Sequence, residues 1–491
     1  MKLKNLINNK NILKNNIDIS GLSEDSREIK KNYIFFYKNT PNNKEKYIAE
    51  AIKNGAKVII YCEKILLNKE KYKKKCEFYK TDDMDTLMSE ISRKFYKIKD
   101  KDSKIIGITG TNGKSTVAIY IAQLLKLQKE KCGIIGTLGN GIYPALKDKK
   151  LTTPNIININ KYISGFVKKN ITNIAIEVSS HGIKQNRIKG IKFETVIFTN
   201  LTRDHLDYHR SMKDYYDTKL KLFTEYKNKK KIICIDSLYG RKIEKLFKNN
   251  KNNKNNKNIK TVSLSNNKAD YYSSKINYLD NGISFFINSK YGKRKIKTNL
   301  YGEFSIVNIM LSIASLANNK LDYNFYIDNI IKLKPVNGRM NLYNKENRPL
   351  VFIDFAHTPD AIKRVLVSIK KHYPKKKIIT VFGCGGNRDS TKRKIMGKVV
   401  GKYSDEIIIT SDNSRNENPK KIFSDIASGI QSSKKFKTIL KRGEAIIKCL
   451  NKNNSNKIAL ILGKGHEEYQ IIGNKKIKFS DSKEVLKILK L

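Results

Sequence analysis

The chain has 491 residues and a formal net charge of +55, because 100 Lys and Arg side chains stand against 45 Asp and Glu. This length predicts two to four domains, and no run approaches the roughly 18 apolar residues of a membrane span. The excess charge is mostly Lys spread along the chain together with Asn, Ile and Tyr, which favours compositional drift over nucleic-acid binding. None of the six cysteines forms a CxxC pair, and the N-terminus has no apolar signal segment. We expect a cytoplasmic monomer with no nucleic-acid or membrane partner.

Three units follow one another along the chain. Residues 1–88 contain the strand patterns "YIFFY" and "AKVIIYC" with a helix pattern between them. Residues 89–334 contain the strand patterns "KIIGIT", "NIAIEV" and "TVIFTN". Residues 335–491 alternate strands with amphipathic helices, from "LVFIDFA" to a last strand "KIALILG". Continuous apolar strands that alternate with such helices indicate an α/β fold whose parallel sheets are covered on both faces.

The central unit contains a candidate phosphate-binding loop. The stretch "GITGTNGKST" runs from Gly107 to Thr116, follows a strand and opens a helix. Glycines let backbone N–H groups close around phosphates, and a helix N-terminus adds positive potential. The loop departs from GxxxxGK[ST], because Ile occupies position 108. Lys114 is predicted to reach the β- and γ-phosphates of a nucleotide, and Ser115 to offer its hydroxyl to Mg²⁺.

Polar side chains also follow two further strands of the central unit. Glu177 stands in "IEVSSHG", and His205 stands among acidic residues in "FTNLTRDHLDYH". Carboxylates and hydroxyls suit Mg²⁺, which takes few protein ligands, although a structural salt bridge explains Glu177 taken alone. The histidines 181, 205 and 209 leave zinc as an alternative, but their spacing is not HExxH.

Two cations stand at positions of interest. Lys219, in "YYDTKLKLF", falls on a predicted helix soon after His205. Arg415, in "SDNSRNENP", follows the strand "EIIIT", where α/β proteins place their ligands. By composition alone each is one of 100 cations, and a solvated surface position is the simpler interpretation.

Nine motifs occur in a specific order: "GTNGKST", "TTP", "EVSSHG", "FTNLTRDHLDYH", "YYDTKLKLF", "VNGRM", "DFAHTPDA", "FGCGGNRD" and "GKGHEEYQ". In this order they resemble the Mur ligases, the ATP-dependent amide-bond ligases that build the peptidoglycan stem peptide. The resemblance runs from "DSREI" near the N-terminus to "FSDSKEV" near the end. It implies an N-terminal UDP-binding domain at 1–88, a central P-loop ATP-binding domain at 89–334 and a C-terminal Rossmann-like amino-acid-binding domain at 335–491.

Among Mur ligases, the motifs look most like those of members that add the third residue to UDP-N-acetylmuramoyl-L-Ala-D-Glu. Diaminopimelate-adding members carry Asp-Asn-Pro-Arg where this chain has Asp412 to Arg415, with Ser414 in place of Pro. A guanidinium can hold the second carboxylate of meso-diaminopimelate through two parallel hydrogen bonds, and it repels the terminal ammonium of lysine. The expected substrates are therefore ATP, the UDP-muramoyl-dipeptide and meso-diaminopimelate, with a lysine-adding enzyme as the alternative.

The resemblance also implies roles for individual residues. The expected catalytic residues are Lys114, Glu177, His205 and Lys219. The expected Mg²⁺ ligands are Ser115, Glu177, His205 and Lys219, the last carbamylated to N6-carboxylysine. The expected ATP-binding residues are Gly110, Thr111, Asn112, Gly113, Lys114, Ser115, Thr116, Asn308, Arg339, Asp354 and His357. The expected UDP-muramoyl-dipeptide-binding residues are Ser26, Thr152, Thr153, Ser179, Gln185 and Arg187. The expected diaminopimelate-binding residues are Arg388, Asp412, Asn413, Ser414, Arg415, Gly463 and Glu467.

Two other functions compete with this assignment. Folylpolyglutamate synthase shares the phosphate loop and acyl-phosphate chemistry but lacks a UDP-binding N-terminal domain, and "DSREI" and "EVSSHGIKQNR" argue against it. A basic nucleic-acid-binding ATPase is the rival from another class. Two departures from the family pattern concern nucleotide contacts: Ser305 stands where Asn is usual, and Asn387 replaces the Asp of "GGDRD".

Overall fold

The computed structural model describes residues 1–7, 17–38, 46–62, 72, 75–147, 151–248, 258–450 and 455–491. The chain has a mixed α/β fold and divides into two compact units. The first unit comprises Met1–Gly107, Lys131–Glu194 and Lys221–Asn228. The second comprises Ile108–Glu130, Thr195–Leu220 and Lys229–Leu491. No helix in these described ranges combines the length and the hydropathy of a membrane-spanning segment.

The strands are β1 (Gly21–Ser23), β2 (Tyr33–Tyr37), β3 (Ala56–Tyr61), β4 (Glu77–Lys80), β5 (Lys104–Thr109), β6 (Cys132–Gly136), β7 (Gly139–Ile142), β8 (Ala145–Lys147), β9 (Asn173–Glu177), β10 (Phe193–Phe198), β11 (Asn228–Cys234), β12 (Ile259–Ser263), β13 (Tyr271–Leu279), β14 (Gly282–Ser289), β15 (Gly292–Thr298), β16 (Asn341–Tyr343), β17 (Leu350–Asp354), β18 (Lys377–Phe382), β19 (Glu406–Thr410), β20 (Phe436–Ile439), β21 (Lys457–Leu462), β22 (Tyr469–Ile472) and β23 (Lys475–Lys478).

The α-helices are α1 (Lys46–Lys53), α2 (Met84–Phe95), α3 (Lys114–Leu127), α4 (Ile156–Val167), α5 (Ser180–Lys184), α6 (Met212–Thr224), α7 (Leu238–Lys248), α8 (Glu303–Leu316), α9 (Lys320–Asn329), α10 (Pro359–His372), α11 (Thr391–Tyr403), α12 (Pro419–Ala427), α13 (Arg442–Leu450) and α14 (Asp481–Leu489). Short 3₁₀ helices cover Leu3–Asn5, Ser26–Glu28, Asp100–Asp102 and Ile330–Lys332.

In the first unit, the four strands β1 to β4 form a parallel sheet in chain order. The apolar strand β2 is buried along most of its length, and α1 packs its apolar face, including Ile48 and Ala51, onto the same core. The unit also contains β9 and β6, which pair in parallel, and the antiparallel series β6-β7-β8. The predicted strands and helix of residues 1–88 are confirmed.

In the second unit, residues 341–462 form a six-stranded sheet of order β16-β17-β21-β18-β19-β20. All its pairs are parallel except the edge pair β16–β17. Alternate strand residues enter two separate cores. One core joins them to α10, α11 and α12, and the other joins them to α13 and α14. The predicted parallel sheet with both faces covered is therefore confirmed here.

Two parts of the second unit differ from the sequence prediction. The strands β13, β14 and β15 form an antiparallel meander, where only parallel strands were expected. Strands β13 and β15 carry polar, partly exposed residues, and β14 is largely buried but interrupts its apolar residues with Ser284 and Asn288, so none forms the continuous apolar run of a buried parallel strand. The expectation that "KIALILG" is the last strand is also wrong, because the short hairpin β22–β23 and helix α14 follow it. Strand β23 is exposed along its length and has no core-facing pattern.

Candidate active site

The phosphate-binding loop lies between β5 and α3, as predicted. Gly110 and Gly113 adopt positive φ angles of 148° and 89°, which favour glycine. A Cβ atom on Gly113 would also lie 2.7 Å from Oδ1 of Asn308, so helix α8 approaches the loop at this position. The loop therefore needs glycine both for its backbone conformation and for its contact with a predicted ATP-binding residue.

The segment after β10 holds the loop backbone in place. The N–H of Thr111 donates to the carbonyl of Asn200 at 3.0 Å, and the N–H of Asn112 donates to Asn200 Oδ1 at 3.0 Å. The hydroxyl of Thr199 donates to the Asn112 carbonyl at 2.6 Å. Sequence reasoning did not name Thr199 or Asn200, although both stand in the quoted motif "FTNLTRDHLDYH".

Lys114 begins helix α3 and folds back over its own loop. Its ammonium donates to the carbonyls of Gly110, at 2.8 Å, and of Thr111, at 2.9 Å. Ser115 and Thr116 follow in the first turn and are buried. A positive charge thus lies at a helix N-terminus beside a glycine-rich loop, which is the arrangement that binds phosphate groups.

A cavity adjoins this loop in the second unit. Its lining includes four residues that were predicted to bind ATP, namely Asn112, Gly113, Thr116 and Asn308. Arg339 and Asp354 line another part, and apolar and aromatic side chains complete the wall, namely Tyr120, Leu300, Tyr301, Phe304, Met340 and Val365. The sequence did not identify these apolar residues, because each looks like an ordinary core residue in its own element. Ser305, the departure from the family pattern, also lines the cavity, and its hydroxyl donates to the Tyr301 carbonyl at 2.7 Å.

The Asp354 carboxylate, at the end of β17, joins the segment before β16 to the segment after β17. Its two oxygens accept from the N–H groups of Met340 and Ala356, each at 2.8 Å. Burial raises the pKa of the Asp354 carboxyl, against the opposing charge of Arg339. The Arg339 guanidinium lies 4.4 Å from the centre of the Phe355 ring. Both predicted residues are thus fixed at one wall of the cavity.

Lys219 lies on helix α6 and is buried directly beneath the phosphate loop. Its Nζ atom donates to the Gly110 carbonyl at 3.0 Å and to Thr109 Oγ1 at 3.4 Å. Burial, with the nearby charge of Lys114, lowers the pKa of Lys219 well below its usual value. The interpretation of Lys219 as a solvated surface cation is therefore wrong, because the side chain is only 1% exposed.

Asp204, which the sequence analysis did not name, connects two predicted residues. Its Oδ2 atom lies 3.5 Å from His205 Nε2 and 3.7 Å from His357 Nε2, and its Oδ1 atom lies 3.4 Å from Lys392 Nζ. Burial opposes ionisation, but the hydrogen bond from His357 and the surrounding positive charge hold the pKa of Asp204 well below its usual value. The adjacent acidic letter in "TRDH" was the only sequence signal for this role.

The first unit brings together a second group of predicted residues. The buried carboxylate of Glu177 accepts from the N–H and the hydroxyl of Thr137, at 2.9 and 3.2 Å. The Thr153 hydroxyl donates to the Glu177 carbonyl at 2.7 Å and accepts from the Ser179 N–H at 2.9 Å. Arg187 donates to the Thr153 carbonyl at 2.9 Å. The remaining predicted neighbours are Thr152, whose hydroxyl lies 3.0 Å from that of Thr137, and Gln185, which accepts from Arg187.

Ser26 occupies a different environment in the first unit. It is buried, and its hydroxyl donates to the Glu50 carboxylate at 2.5 Å. A cavity in the same unit is lined by β1 and by the first half of α4, including Ser23, Asn155 and Lys161. Ser26 is not among the described residues that line it. Ser23 is therefore better placed than Ser26 for direct contact with a ligand in this cavity.

The predicted amino-acid-binding loop follows β19, and its backbone is joined to β22. Asp412, Asn413 and Ser414 are buried, and Arg415 has a φ of 50°. The Arg415 N–H donates to the Ile471 carbonyl at 3.0 Å, and its carbonyl accepts from the Gly473 N–H at 2.8 Å. The Arg415 guanidinium uses Nη1 to donate to the Gly386 carbonyl at 2.7 Å and to the Asn413 carbonyl at 3.4 Å. No residue in the described ranges accepts from its Nε or Nη2.

Gly463 and Glu467 border the same loop. Gly463 has a φ of 111°, and a Cβ atom there would lie 2.7 Å from Asp412 Oδ2, so only glycine fits. The Glu467 carboxylate accepts from Asn413 Nδ2 at 3.0 Å. Burial and the nearby charge of Arg388 lower the pKa of Arg415. The predicted diaminopimelate-binding residues therefore lie together at the carboxyl ends of β18, β19 and β21.

The chain matches known proteins over almost its whole length. Residues 108–316 match the Mur ligase middle domain, and residues 338–465 match the Mur ligase, glutamate ligase domain. The chain is 41% identical over 485 residues to the UDP-N-acetylmuramoyl-L-alanyl-D-glutamate--2,6-diaminopimelate ligase of Wigglesworthia glossinidia brevipalpis, covering 96% of this chain and 95% of that protein. It is 40% identical over 490 residues to the protein of the same name from Buchnera aphidicola subsp. Schizaphis graminum, covering 96% and 95%.

A solved structure of a UDP-N-acetylmuramoyl-L-alanyl-D-glutamate--2,6-diaminopimelate ligase superposes on the chain with a TM-score of 0.67. The two chains are 32% identical, and the match covers 96% of this chain and 95% of the other. These matches, with the phosphate loop and the α/β sheets, define the class: the chain belongs to the Mur ligase family. It is a ligase, and the resemblance inferred from the motifs is confirmed.

Proposed function

We propose that the chain is an ATP-dependent ligase that adds meso-2,6-diaminopimelate to the γ-carboxylate of D-Glu in UDP-N-acetylmuramoyl-L-Ala-D-Glu, in peptidoglycan synthesis. The observation that carries this proposal is the placement of Arg415. Its Nη1 is held by the Gly386 carbonyl, and its Nε and Nη2 have no acceptor among the described residues. That edge of a guanidinium binds a carboxylate through two parallel bonds, as Arg442 binds Asp481 through Nε and Nη2 elsewhere in the chain. The names of the relatives support the same substrate.

The three-domain division remains part of this proposal. We assign residues 1–88 to UDP binding, 89–334 to ATP binding and ligation, and 335–491 to binding of the incoming amino acid. The separate sheet of residues 341–462 supports the last assignment, because the predicted amino-acid-binding residues follow its strands. The cavity lined by Ser23 and Asn155 supports a ligand site that involves the N-terminal residues of the first unit.

ATP is proposed to bind along the loop and the adjoining cavity of the second unit. The phosphates would lie against the loop and Lys114, which neutralises negative charge as it develops during phosphoryl transfer. The nucleoside would occupy the cavity, where Tyr301 and Phe304 offer apolar contact and Asn308, Arg339 and Asp354 offer polar contact. His357, which adjoins Asp204, lies at the edge of this site rather than among the cavity-lining residues in the described ranges.

Lys219 is proposed to be carbamylated. Its lowered pKa supplies the uncharged amine, whose lone pair attacks the carbon of CO₂. An N–C bond forms, one C–O π bond becomes an oxyanion, and the nitrogen releases one proton. The buried amine thereby becomes an anionic oxygen donor that resembles a carboxylate, which replaces the unfavourable proximity of two amino groups at Lys219 and Lys114 by a pair of opposite charges.

The residues present fit Mg²⁺. In the second unit, Ser115 offers a hydroxyl oxygen, the Lys219 carbamate adds further oxygen atoms, and His205 offers a nitrogen. In the described part of the chain, no three His, Cys, Asp or Glu side chains cluster as a metal centre. Mg²⁺ takes few protein ligands and completes its shell with phosphate oxygens and water. When bound, Mg²⁺ supplies positive charge that offsets the charge on the phosphate groups.

The reaction proposed for this site has two steps. The γ-carboxylate of D-Glu attacks the γ-phosphorus of ATP, and ADP leaves, so a carboxylate becomes an acyl phosphate with a good leaving group. The uncharged α-amine of diaminopimelate then attacks the acyl carbon, the amine proton is lost, and phosphate departs as the amide forms. Arg415 and Glu467 orient the amino acid, and Lys114 stabilises the charge on the transferred phosphoryl group.

One experiment tests the function directly. Purified protein is given ATP, Mg²⁺ and UDP-muramoyl-dipeptide, and phosphate release is measured with meso-diaminopimelate, with L-lysine and with neither. We expect rapid release with diaminopimelate and little with lysine. Equal release with lysine would make the chain a lysine-adding ligase. Phosphate release that depends on RNA instead of the muramoyl-dipeptide would favour a nucleic-acid-binding ATPase.

A further inference from the structure

Lys464 is a fully buried cation between the two segments that form the proposed amino-acid pocket. It follows Gly463 at the end of β21, and its side chain is 0% exposed. Its Nζ atom donates to Glu467 Oε2 at 2.8 Å and to Asn413 Oδ1 at 3.3 Å, and lies 4.0 Å from Asp412 Oδ1. A buried ammonium is costly unless it is paired and hydrogen-bonded, and each partner here belongs to the pocket.

Asn413 and Lys464 act on the same oxygen of Glu467. Asn413 donates its side-chain N–H to Glu467 Oε2 at 3.0 Å, and its own Oδ1 accepts from Lys464 and from the Ile471 N–H. The backbone of this loop is fixed at the same time, because Gln470 donates to the carbonyls of Ser411 and Asp412. Glu467 therefore has one oxygen committed to the protein, and no described residue donates to its Oε1.

We propose that Lys464 is a positioning residue that sets the amino-acid specificity of the ligase. It holds Glu467 by one oxygen, so that the other oxygen faces the pocket as an acceptor for an ammonium group. Arg415, on the adjoining loop, offers Nε and Nη2 to a carboxylate. A substrate side chain that ends in both an ammonium and a carboxylate group can bind Glu467 and Arg415 at the same time. This inference rests on the proposed function.

The charge of Lys464 also bears on the choice between diaminopimelate and lysine. Arg388 lies beside Asp207, with Nη1 and Oδ2 3.7 Å apart, so the anions Asp412 and Glu467 are balanced by the cations Arg415 and Lys464. Lysine carries one more positive charge than diaminopimelate, and a pocket without excess negative charge does not compensate it. Removal of Lys464 leaves one anion in excess and frees the Glu467 carboxylate, and both changes reduce discrimination against lysine.

The test compares Lys464→Met, which keeps the length of the side chain without the charge, with Lys464→Arg, which keeps the charge. The control is Lys475→Met on the exposed strand β23. We expect the KM for diaminopimelate to rise at least about 30-fold in Lys464→Met, the scale of losing one partner of a buried charge pair. The KM for ATP should stay within about 2-fold, and the ratio of diaminopimelate to lysine use should fall. Lys464→Arg should recover part of the loss.

The outcomes separate this inference from the proposed function. Wild-type protein that releases no phosphate with diaminopimelate overturns the proposed function itself. Wild-type activity combined with an equal rise in both KM values, or with no difference from Lys475→Met, overturns the role of Lys464 alone. Thermal unfolding and nucleotide binding are measured on each variant. If Lys464→Met does not fold, Lys464→Gln removes the charge while keeping a polar amide that can donate N–H groups, and the same expected ratios apply.

Discussion

Lys392 Nζ lies 3.4 Å from Oδ1 of Asp204, and both side chains are largely buried. The pair joins helix α11, which begins just after Arg388, to the segment that carries His205. Two further contacts join the same two segments. Arg203 donates to the Thr391 hydroxyl at 2.7 Å, and Arg388 Nη1 lies 3.7 Å from Asp207 Oδ2. The proposed amino-acid pocket is thus linked to residues beside the phosphate loop.

Replacement of Lys392 by Met should lower kcat by roughly 10- to 100-fold, because loss of the pair lets the His205 segment shift relative to α11, and small misplacements of reacting groups are costly. Phosphate release under saturating substrates measures the effect. Lys398→Met, on an exposed position of the same helix, is the control. An unchanged kcat in Lys392→Met would show that the pair does not position the reacting groups.

Replacement of Lys219 by Ala should abolish ligation, since the proposed carbamate oxygens are lost. Short carboxylates such as acetate should partly restore it by occupying the vacated space. The measurement is phosphate release, together with the intact mass of the wild-type protein with and without bicarbonate. Lys221→Ala, on the same helix but exposed, should keep full activity. Full activity in Lys219→Ala would refute carbamylation as a requirement.

Replacement of Arg415 by Ala should raise the KM for diaminopimelate about 100-fold, the scale of losing a bidentate charged contact, and leave the KM for ATP nearly unchanged. Arg415→Lys should recover little, because an ammonium cannot offer two parallel donors. Steady-state kinetics with each substrate varied in turn distinguish the two effects. Equal rises in both KM values would make Arg415 a structural residue of the loop.

Lys260 gives a pH-dependent prediction for stability. Its ammonium donates to the carbonyls of Ala314 and Ala317 at the end of α8. Burial, with the charges of Lys230 and Lys290, lowers its pKa from 10.5 to about 8. Between these values the unfolded chain keeps a proton that the folded chain has lost, so this residue makes the free energy of unfolding rise as the pH rises from about 8 to 10.5.

The Lys260→Met variant should therefore show a flatter dependence of the unfolding temperature on pH across that window than the wild type. Below pH 8 Lys260 is protonated in both the folded and the unfolded chain, so it no longer makes the stability depend on pH. The slopes of unfolding temperature against pH should therefore differ least between the two proteins there. Lys268→Met, at an exposed position, is the control and should follow the wild type. Parallel curves for wild type and Lys260→Met would mean that Lys260 titrates alike in the folded and unfolded chain.

The local sequence was sufficient to predict the elements that have a recognisable residue pattern of their own, such as a glycine-rich loop or a continuous apolar strand. The strand β5, the glycine-rich loop and helix α3 follow one another without interruption, so "GITGTNGKST" specified the phosphate loop in advance. The strands β17, β18, β19 and β21 are continuous apolar runs that follow the rule for buried parallel strands. The meander β13 to β15 does not follow that rule, because polar residues interrupt the apolar residues of each strand.

The sequence by itself determined the family, the order of the motifs and the candidate residues, since these depend on residue types at short spacings. Tertiary structure alone decided how the charged side chains are buried and paired. The motifs named Lys219 and Arg415 by resemblance, whereas nothing in the sequence set Lys464 apart from the other cations among the 100. The fold buries Lys219 beneath a loop more than a hundred positions earlier, and it places Lys464 between Asn413 and Glu467. Burial and charge partners come from segments distant in sequence, and they set the pKa, the orientation and the role of each ammonium and guanidinium group.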